Sequence, residues 1–297
     1  MATYEELLEQ ARKREERYKT LLEVEKNIHR KEVTLDTDNF VVMANNMILH
    51  SASNLTLNEL KLLRFAIMQT EKDEKELFAY DVSAKELAKM LEIKQKDFYK
   101  KLKTITKHLM QEVIYIGDDS KKEWIMFHWV DICRYKKGIV TIKLSDELKP
   151  FLIGLRGNFA RYRLSEIISL KSIYAIRIYE ILNGYLNENN LPYADNAVEI
   201  SVSIEELRKA TDTVNKFERY SNFKLRVVDT ALKEINDKSK YHVIATPYKR
   251  GNAVKGFDFL IESQAGYWHR TISQEPKDEI PGQMDISDFI PYGKGRK

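Results

Sequence analysis

Cysteine occurs once in the 297 residues, at Cys133, so no disulfide can close within the chain, and the Cys/His spacing of a zinc finger is absent. No apolar run approaches the roughly 18 residues that a membrane span requires. The charged start, Met1-Ala2-Thr3-Tyr4-Glu5-Glu6, has no apolar core of the signal-peptide kind, which predicts a cytoplasmic protein with no membrane partner. The six histidines, at 29, 50, 108, 128, 242 and 269, form no His-x-His or His-x-x-x-His pair, so no metal site is expected. No Gly-x-x-x-x-Gly-Lys loop is present to cradle a nucleotide phosphate. The sixteen tyrosines lack the neighbouring base or metal that a nucleophilic phenol needs. These absences argue against a metal-dependent nicking enzyme and against ATP hydrolysis; no enzymatic activity and no cofactor are expected. Charge of one sign is scarce as well: 49 Lys and Arg stand against 45 Asp and Glu, for a net +4 and a pI near 8.8. Any electrostatic footprint must therefore come from local clustering.

The most informative feature present is a repeat. Val82-Ser83-Ala84-Lys85-Glu86-Leu87-Ala88-Lys89 and Val202-Ser203-Ile204-Glu205-Glu206-Leu207-Arg208-Lys209 stand 120 positions apart. Each opens with Ser-x-x-Glu before an apolar position, the signature of a helix capping box. Each leads into a longer amphipathic helix with a basic outer face, and then into β-rich sequence with a turn. Short helix, turn, basic helix and β-hairpin are the parts of a winged helix-turn-helix, whose second helix enters a DNA groove. Two in tandem imply a chain that grips double-stranded DNA at two places.

The expected fold is α+β: two tandem winged-helix domains between a helical N-terminal arm and a flexible C-terminal tail. The divisions fall at 1–38 for the arm, 39–155 and 156–263 for the domains, and 264–297 for the tail. Residues 3 to about 31 predict a helix, with Tyr4, Leu7, Ala11, Arg14, Tyr18, Leu21, Glu25 and Ile28 in heptad-like steps. Thr56 caps a helix with Glu59 at the capping-box position. Helices are expected at 84–92 and 95–112, followed by strand-like runs Val113–Ile116, Trp124–Ile132 and Ile139–Leu144. In the second unit a helix is expected from Ser165 to Tyr185, a strand at Glu199–Val202, and helices at 204–211 and 219–238. A hairpin of Tyr241–Thr246 and Gly256–Ile261 then spans a loop, Pro247–Lys255. Three of six prolines and four of eleven glycines lie after 264, which marks the tail. His128, among Trp124, Phe127 and Trp129, reads as a core or interface residue, and so does Cys133.

The two long basic helices differ in kind. In 95–112, Phe98, Leu102, Ile105 and Leu109 form the inward face, and Lys96, Lys100, Lys103 and Lys107 form a row on another. Lysines are flexible point charges suited to phosphates, and only Asp97 stands nearby to neutralise them. In 219–238, Phe223, Val227, Ala231 and Ile235 face inward, while Arg219, Asn222, Arg226, Thr230 and Lys233 project outward. Arg and Asn can each make paired hydrogen bonds to guanine or adenine edges, and they occupy the half of the helix that meets bases. Base reading is assigned to Arg219, Asn222, Lys224 and Arg226; phosphate contact is assigned to Lys96, Lys100, Lys103, Lys107, Lys216, Lys233, Lys249 and Arg250. The acids Asp229, Glu234 and Asp237 leave salt pairing on the helix surface as the competing role.

Over residues 40 to 263 the sequence resembles the initiator Rep proteins of theta-replicating, iteron-containing plasmids. The resemblance rests first on Phe159, Tyr162-Arg163-Leu164 and the run Leu170-Lys171-Ser172-Ile173-Tyr174-Ala175-Ile176-Arg177-Ile178-Tyr179-Glu180-Ile181-Leu182, similar to the family's L-x-S-x-Y-x-x-R-L-Y-E-L-L helix. It rests also on Ile204–Arg208, Phe223–Val227 and Ala231–Asn236, and on Leu55, Glu59 and Leu62-Leu63. The resemblance implies binding to iterons at a plasmid origin, local DNA opening, and recruitment of host DnaA and replicative helicase in a bacterial cytoplasm. It further implies a homodimer, paired through the first domain, that represses its own promoter, in equilibrium with a monomer that starts replication. Arg219, Lys224 and Arg226 occupy the family's base-reading positions. Where some members carry three consecutive arginines this chain has Lys224-Leu225-Arg226, which implies a different iteron sequence.

Trp124, Ile125, Met126, Phe127 and Trp129 make a strand apolar on both faces, which fits pairing with a second chain or burial under the first domain's own helices. A winged-helix transcriptional repressor without a replication role, a nickase or primase, and a protein-binding adaptor are the rival readings. Copy-number loss, a nicking assay and the salt dependence of binding respectively separate them.

Overall fold

The computed structural model describes residues 5–6, 9–10, 12–17, 19, 28–50, 54–118, 122–188 and 197–263. The predicted arm is helical at its described residues between 5 and 19, but from Arg30 the chain is a strand. Most of the heptad-like seam, and the tail 264–297, lie outside the described residues.

In the first unit β1 (Arg30–Glu32) precedes β2 (Phe40–Ala44), α1 (Asn45–His50) and α2 (Leu57–Met68). Then come β3 (Ala79–Ser83), α3 (Ala84–Met90), α4 (Gln95–Leu109), β4 (Val113–Asp118), β5 (Glu123–His128), β6 (Val130–Lys136), β7 (Ile139–Leu144) and the short α5 (Lys149–Leu152). The second unit runs β8 (Phe159–Arg163), α6 (Leu164–Ile168), α7 (Ile173–Glu188), β9 (Val198–Ser203) and α8 (Ile204–Ala210). A composite helix follows, here α9: α-helical at Tyr220–Phe223, π-helical at Lys224–Asp229 and α-helical again at Thr230–Lys238. The wing strands β10 (Tyr241–Arg250) and β11 (Ala253–Ser263) close the unit. The sheet orders are β1-β3-β7-β6 in the first unit and β10-β11-β9 in the second. Both units are therefore winged helices, as the cassette predicts.

The repeat is kept in backbone detail. After α3, Glu92 turns left-handed at φ 55°, and the N–H of Ile93 donates to Ala88 O at 2.9 Å. Exactly 120 residues on, Asp212 has φ 51° and the N–H of Thr213 donates to Arg208 O at 2.8 Å. Such left-handed helix ends satisfy the last carbonyls while turning the chain toward the next helix. The caps at the other end diverge. Thr56 and Ser203 complete capping boxes with Glu59 and Glu206, but Ser83 makes no side-chain cap bond.

Several boundaries differ from the expectation. The run Trp124–Ile132 is two strands in two sheets: β5 pairs only with β4, and β6 pairs with β7. The chain turns at Trp129, whose ring is completely buried, so the apolar run reflects a core residue between two strands. The helix expected from Ser165 to Tyr185 breaks at 169–172, because that turn is held by side chains from elsewhere. The supposed loop Pro247–Lys255 is mostly ladder, with Pro247 opposite Phe257 and only Gly251 and Asn252 outside the strands. Pro247 is tolerated because β10 lies at the sheet edge, where a missing N–H breaks no bond. Helix α4 ends at Leu109 rather than 112. His128 is exposed.

The two units share one apolar core. Strand β2 of the first pairs antiparallel with β8 of the second, Phe40 opposite Arg163 through Ala44 opposite Phe159. Arg161 and Arg163 both lie over the Phe40 ring, at 4.1 and 4.7 Å from its centroid. Deeper in, Arg64 on α2 grips Glu180 on α7 through Nε at 2.5 Å and Nη2 at 2.9 Å, with both side chains fully buried. Tyr162 donates to the same carboxylate at 2.6 Å, and Arg177 lies 4.0 Å from it. Burial pushes the Glu180 carboxyl up, but the two guanidiniums outweigh it and hold the group below its ordinary range.

Candidate nucleic-acid interface

The second unit's composite helix α9 presents one exposed strip. Phe223, Val227, Val228, Ala231 and Ile235 are buried, while Asn222, Leu225, Arg226, Thr230 and Lys233 are exposed. The widened π-helical turns let Val227 and Val228 both point inward while Leu225 and Arg226 stay out. Arg219, also exposed, stands at the N-terminal cap of the helix. Arg219, Asn222, Arg226 and Lys233 have no acidic partner among the described residues. The Arg226 guanidinium rests 5.9 Å above the Phe217 ring, a contact that steadies it without consuming its hydrogen-bond donors.

Two of the assigned cations are engaged internally. Lys224 Nζ reaches both carboxylate oxygens of Asp229, at 2.7 and 2.9 Å, a pair five apart that suits the π-helical repeat. Lys216 pairs with Asp212 at 2.8 Å, and the hydrogen bond to that carboxylate raises its pKa. Glu234, expected to dilute the helix charge, faces the protein instead. It accepts the N–H groups of Lys171 and Ser172, at 2.7 and 3.1 Å, where α7 begins.

The turn before this helix has an organiser that the sequence reading missed. Arg208 donates to the carbonyls of Thr213, Lys216, Phe217 and Glu218 at 2.8 to 3.2 Å, and its guanidinium lies 4.4 Å over the Phe223 ring. One side chain thus satisfies four backbone acceptors of an irregular turn. The equivalent residue in the first unit is Ala88, where the turn is short and α4 begins at Gln95. The arginine was visible in the motif, but its role depends on the turn's length. At the wing tip Gly251 adopts φ 64°, and the neighbouring Lys249 and Arg250 are exposed.

In the first unit Phe98, Leu102, Ile105 and Leu109 anchor α4, as the spacing predicts. Lys96, Lys100, Lys103 and Lys107 are all exposed and have no acidic partner among the described residues. Tyr99 on α4 meets Tyr135 on the wing strand β6 edge-on at 5.1 Å, joining the lysine row to the turn Lys136-Lys137-Gly138. That aromatic bridge links positions far apart in sequence and carries no periodic signal. Cys133 is tucked in, and burial pushes its thiol up to about 12, which keeps it unreactive. Among the described residues no group of three or more His, Cys, Asp or Glu is placed to hold a metal, and no helix is long and apolar enough to cross a membrane.

The turn at 169–172 is contacted by α9, by α2 and by the turn that precedes α4. Besides Glu234, Lys238 donates to Ser169 O at 3.4 Å from α9, while Lys61 on α2 donates to Ile168 O at 2.5 Å. Lys171 pairs with Glu92, in the turn that precedes α4. One short loop therefore touches α9 of the second unit and the α3–α4 turn of the first.

Residues 40–183 match the family model described as Initiator Replication protein, WH1, and residues 203–261 match that described as Initiator Rep protein, WH2. The chain belongs to the initiator replication protein family. A solved structure described as "Crystal structure of Pi initiator protein in complex with iteron DNA" is similar over 78% of this chain and 100% of that one, with a TM-score of 0.63 at 19% identity. That likeness is one of fold, and it places the two winged helices of this initiator family member in a known arrangement. The WH1 match runs into α7 as far as Asn183, in keeping with the ladder that ties β8, and the ion pair that ties α7, to the first unit.

Proposed function

We propose that this initiator family member binds iteron repeats in duplex DNA at a plasmid origin, helps to open the origin, and recruits host DnaA and replicative helicase. The observation that carries the reading is the exposed strip Arg219, Asn222 and Arg226 at the start of α9, free of acidic partners among the described residues, in a chain of this family. Residues 156–263 read base edges through that strip. Residues 39–155 hold phosphates through Lys96, Lys100, Lys103 and Lys107, with Lys233, Lys249 and Arg250 adding backbone contacts from the second domain. Lys216 and Lys224 join only by exchanging an internal carboxylate for DNA. The solved Pi initiator–iteron complex, similar in fold, supports the arrangement.

The same reading includes a dimer formed by the first domain, which represses its own promoter. Its support is the β4–β5 hairpin, inserted between the reading helix and the wing of the first unit with no counterpart in the second. Trp124, Ile125 and Met126 are 64%, 51% and 53% exposed there, beside exposed Val113 and Tyr115. Apolar side chains of this size, clustered and exposed, mark a protein interface.

Footprinting of the full chain on DNA flanking its gene tests the proposal. Protection of tandem direct repeats about two helical turns long, with copy-number loss when the gene is damaged, is the expected result. Binding without repeat preference, or unchanged copy number, would leave a repressor or a non-specific binder.

A further inference from the structure

Leu225 is out of place by ordinary burial rules. It is 64% exposed, among the most exposed large apolar side chains of the described residues, although its helix has a well-filled inner face. It stands within the outward strip, between Asn222 and Arg226. Its neighbour Lys224 is drawn back onto Asp229, so an apolar side chain and a guanidinium are what this turn of the helix offers outward. The backbone is fixed at the same point, where Thr230 Oγ1 donates to Leu225 O at 3.0 Å across the π-helical turn. An apolar side chain placed rigidly among base-reading groups has one complement in the major groove, the C5-methyl of thymine.

We propose that Leu225 is a specificity-determining residue that packs against a thymine methyl in the DNA segment contacted by α9. The inference rests on the base-reading function proposed for this helix and names one base of its target. Desolvating one methyl contributes about 0.8 kcal/mol, close to a four-fold change in affinity. Arg226 and Asn222 fix the helix by directional hydrogen bonds, while Leu225 adds discrimination against cytosine and uracil at one position.

The test replaces each thymine of the protected segment singly by deoxyuridine, which removes the methyl and leaves the pairing edge intact. The full chain should lose about four-fold in affinity at one position and little elsewhere. Leu225→Ala, truncated at an exposed site that leaves the core filled, should bind the thymine and deoxyuridine sites equally. Leu225→Met should retain the difference, and Arg226→Ala should weaken both sites while preserving their ratio. Equal binding of every deoxyuridine site by the unaltered chain would overturn the proposal, as would a protected segment without thymine. So would a Leu225→Ala variant that still discriminates, which would place the methyl contact on another residue. Absence of any repeat binding by the unaltered chain is a different result, and it would overturn the base-reading function itself.

Discussion

Replacing Glu180 by glutamine exchanges one carboxylate oxygen for an amide nitrogen and removes one charge at the seam of the two units. The carboxylate is fully buried between Arg64 and Arg177, with the Tyr162 hydroxyl donating to it at 2.6 Å. The cluster holds two guanidiniums and one carboxylate, a net charge of +1 that Glu180→Gln raises to +2. Removing one partner of a buried pair costs about 3–5 kcal/mol, because the remaining charge is neither solvated nor matched. Against a typical total of about 5–15 kcal/mol this is a large fraction. Arg64→Met acts differently: it leaves Arg177 facing Glu180, a pair neutral as a whole, and fills the space with an apolar chain. Its cost should fall near the low end, about 3 kcal/mol, and below that of Glu180→Gln. Equilibrium urea unfolding of the full chain measures both. Because the cluster joins α2 to α7, each variant should shift one shared transition rather than split it. A Glu180→Gln variant within about 1 kcal/mol of the parent, or one more stable than Arg64→Met, would refute the reasoning.

Neutralising Lys96, Lys100, Lys103 and Lys107 to glutamine should weaken binding to specific and random DNA alike. Each lost phosphate contact should flatten the slope of log K against log salt by about 0.9, and an unchanged slope would show the row is only solvated. Trp124→Ser should move the monomer–dimer equilibrium toward monomer in sedimentation while leaving the monomer's unfolding free energy within about 0.5 kcal/mol of the parent; an unchanged equilibrium would remove the hairpin from the interface. Burial lowers the Lys61 ammonium to about 8 from 10.5. Between those values the unfolded chain holds the proton that the folded chain has released, so stability rises with pH across the window. The parent should gain on Lys61→Met as pH rises from about 8 toward 10.5 in urea unfolding, and a constant difference would contradict the assignment.

The architecture was legible because the repeat is written in residue types with a local job. Ser203 and Glu206 cap, Phe98 and Phe223 anchor, and alternating steps of three and four show which helix faces turn inward. Two winged helices and the exposed cationic faces followed from that. What stayed hidden depends on contacts between distant segments. The 169–172 break in the expected long helix is held by Glu234, Lys238 and Lys61 from other elements, and its one local mark is Ser172, whose Oγ accepts the Tyr174 N–H. Trp129 hides a strand boundary because a buried tryptophan between two strands extends an apolar run. Arg208 and the pairs Lys224–Asp229 and Lys216–Asp212 look like surface charge until the turn and the π-helical repeat bring their partners into reach. At the capping position Ser83 has the right type and no bond, since propensity does not guarantee geometry.

The most direct measurement is the affinity of Arg226→Ala, relative to the parent, on an iteron and on random duplex at one salt concentration. The account predicts a loss of about 1–3 kcal/mol on the iteron, little loss on random DNA, and relaxed preference at one or two base pairs. Equal losses on both would contradict base reading by α9 and leave its strip a phosphate clamp.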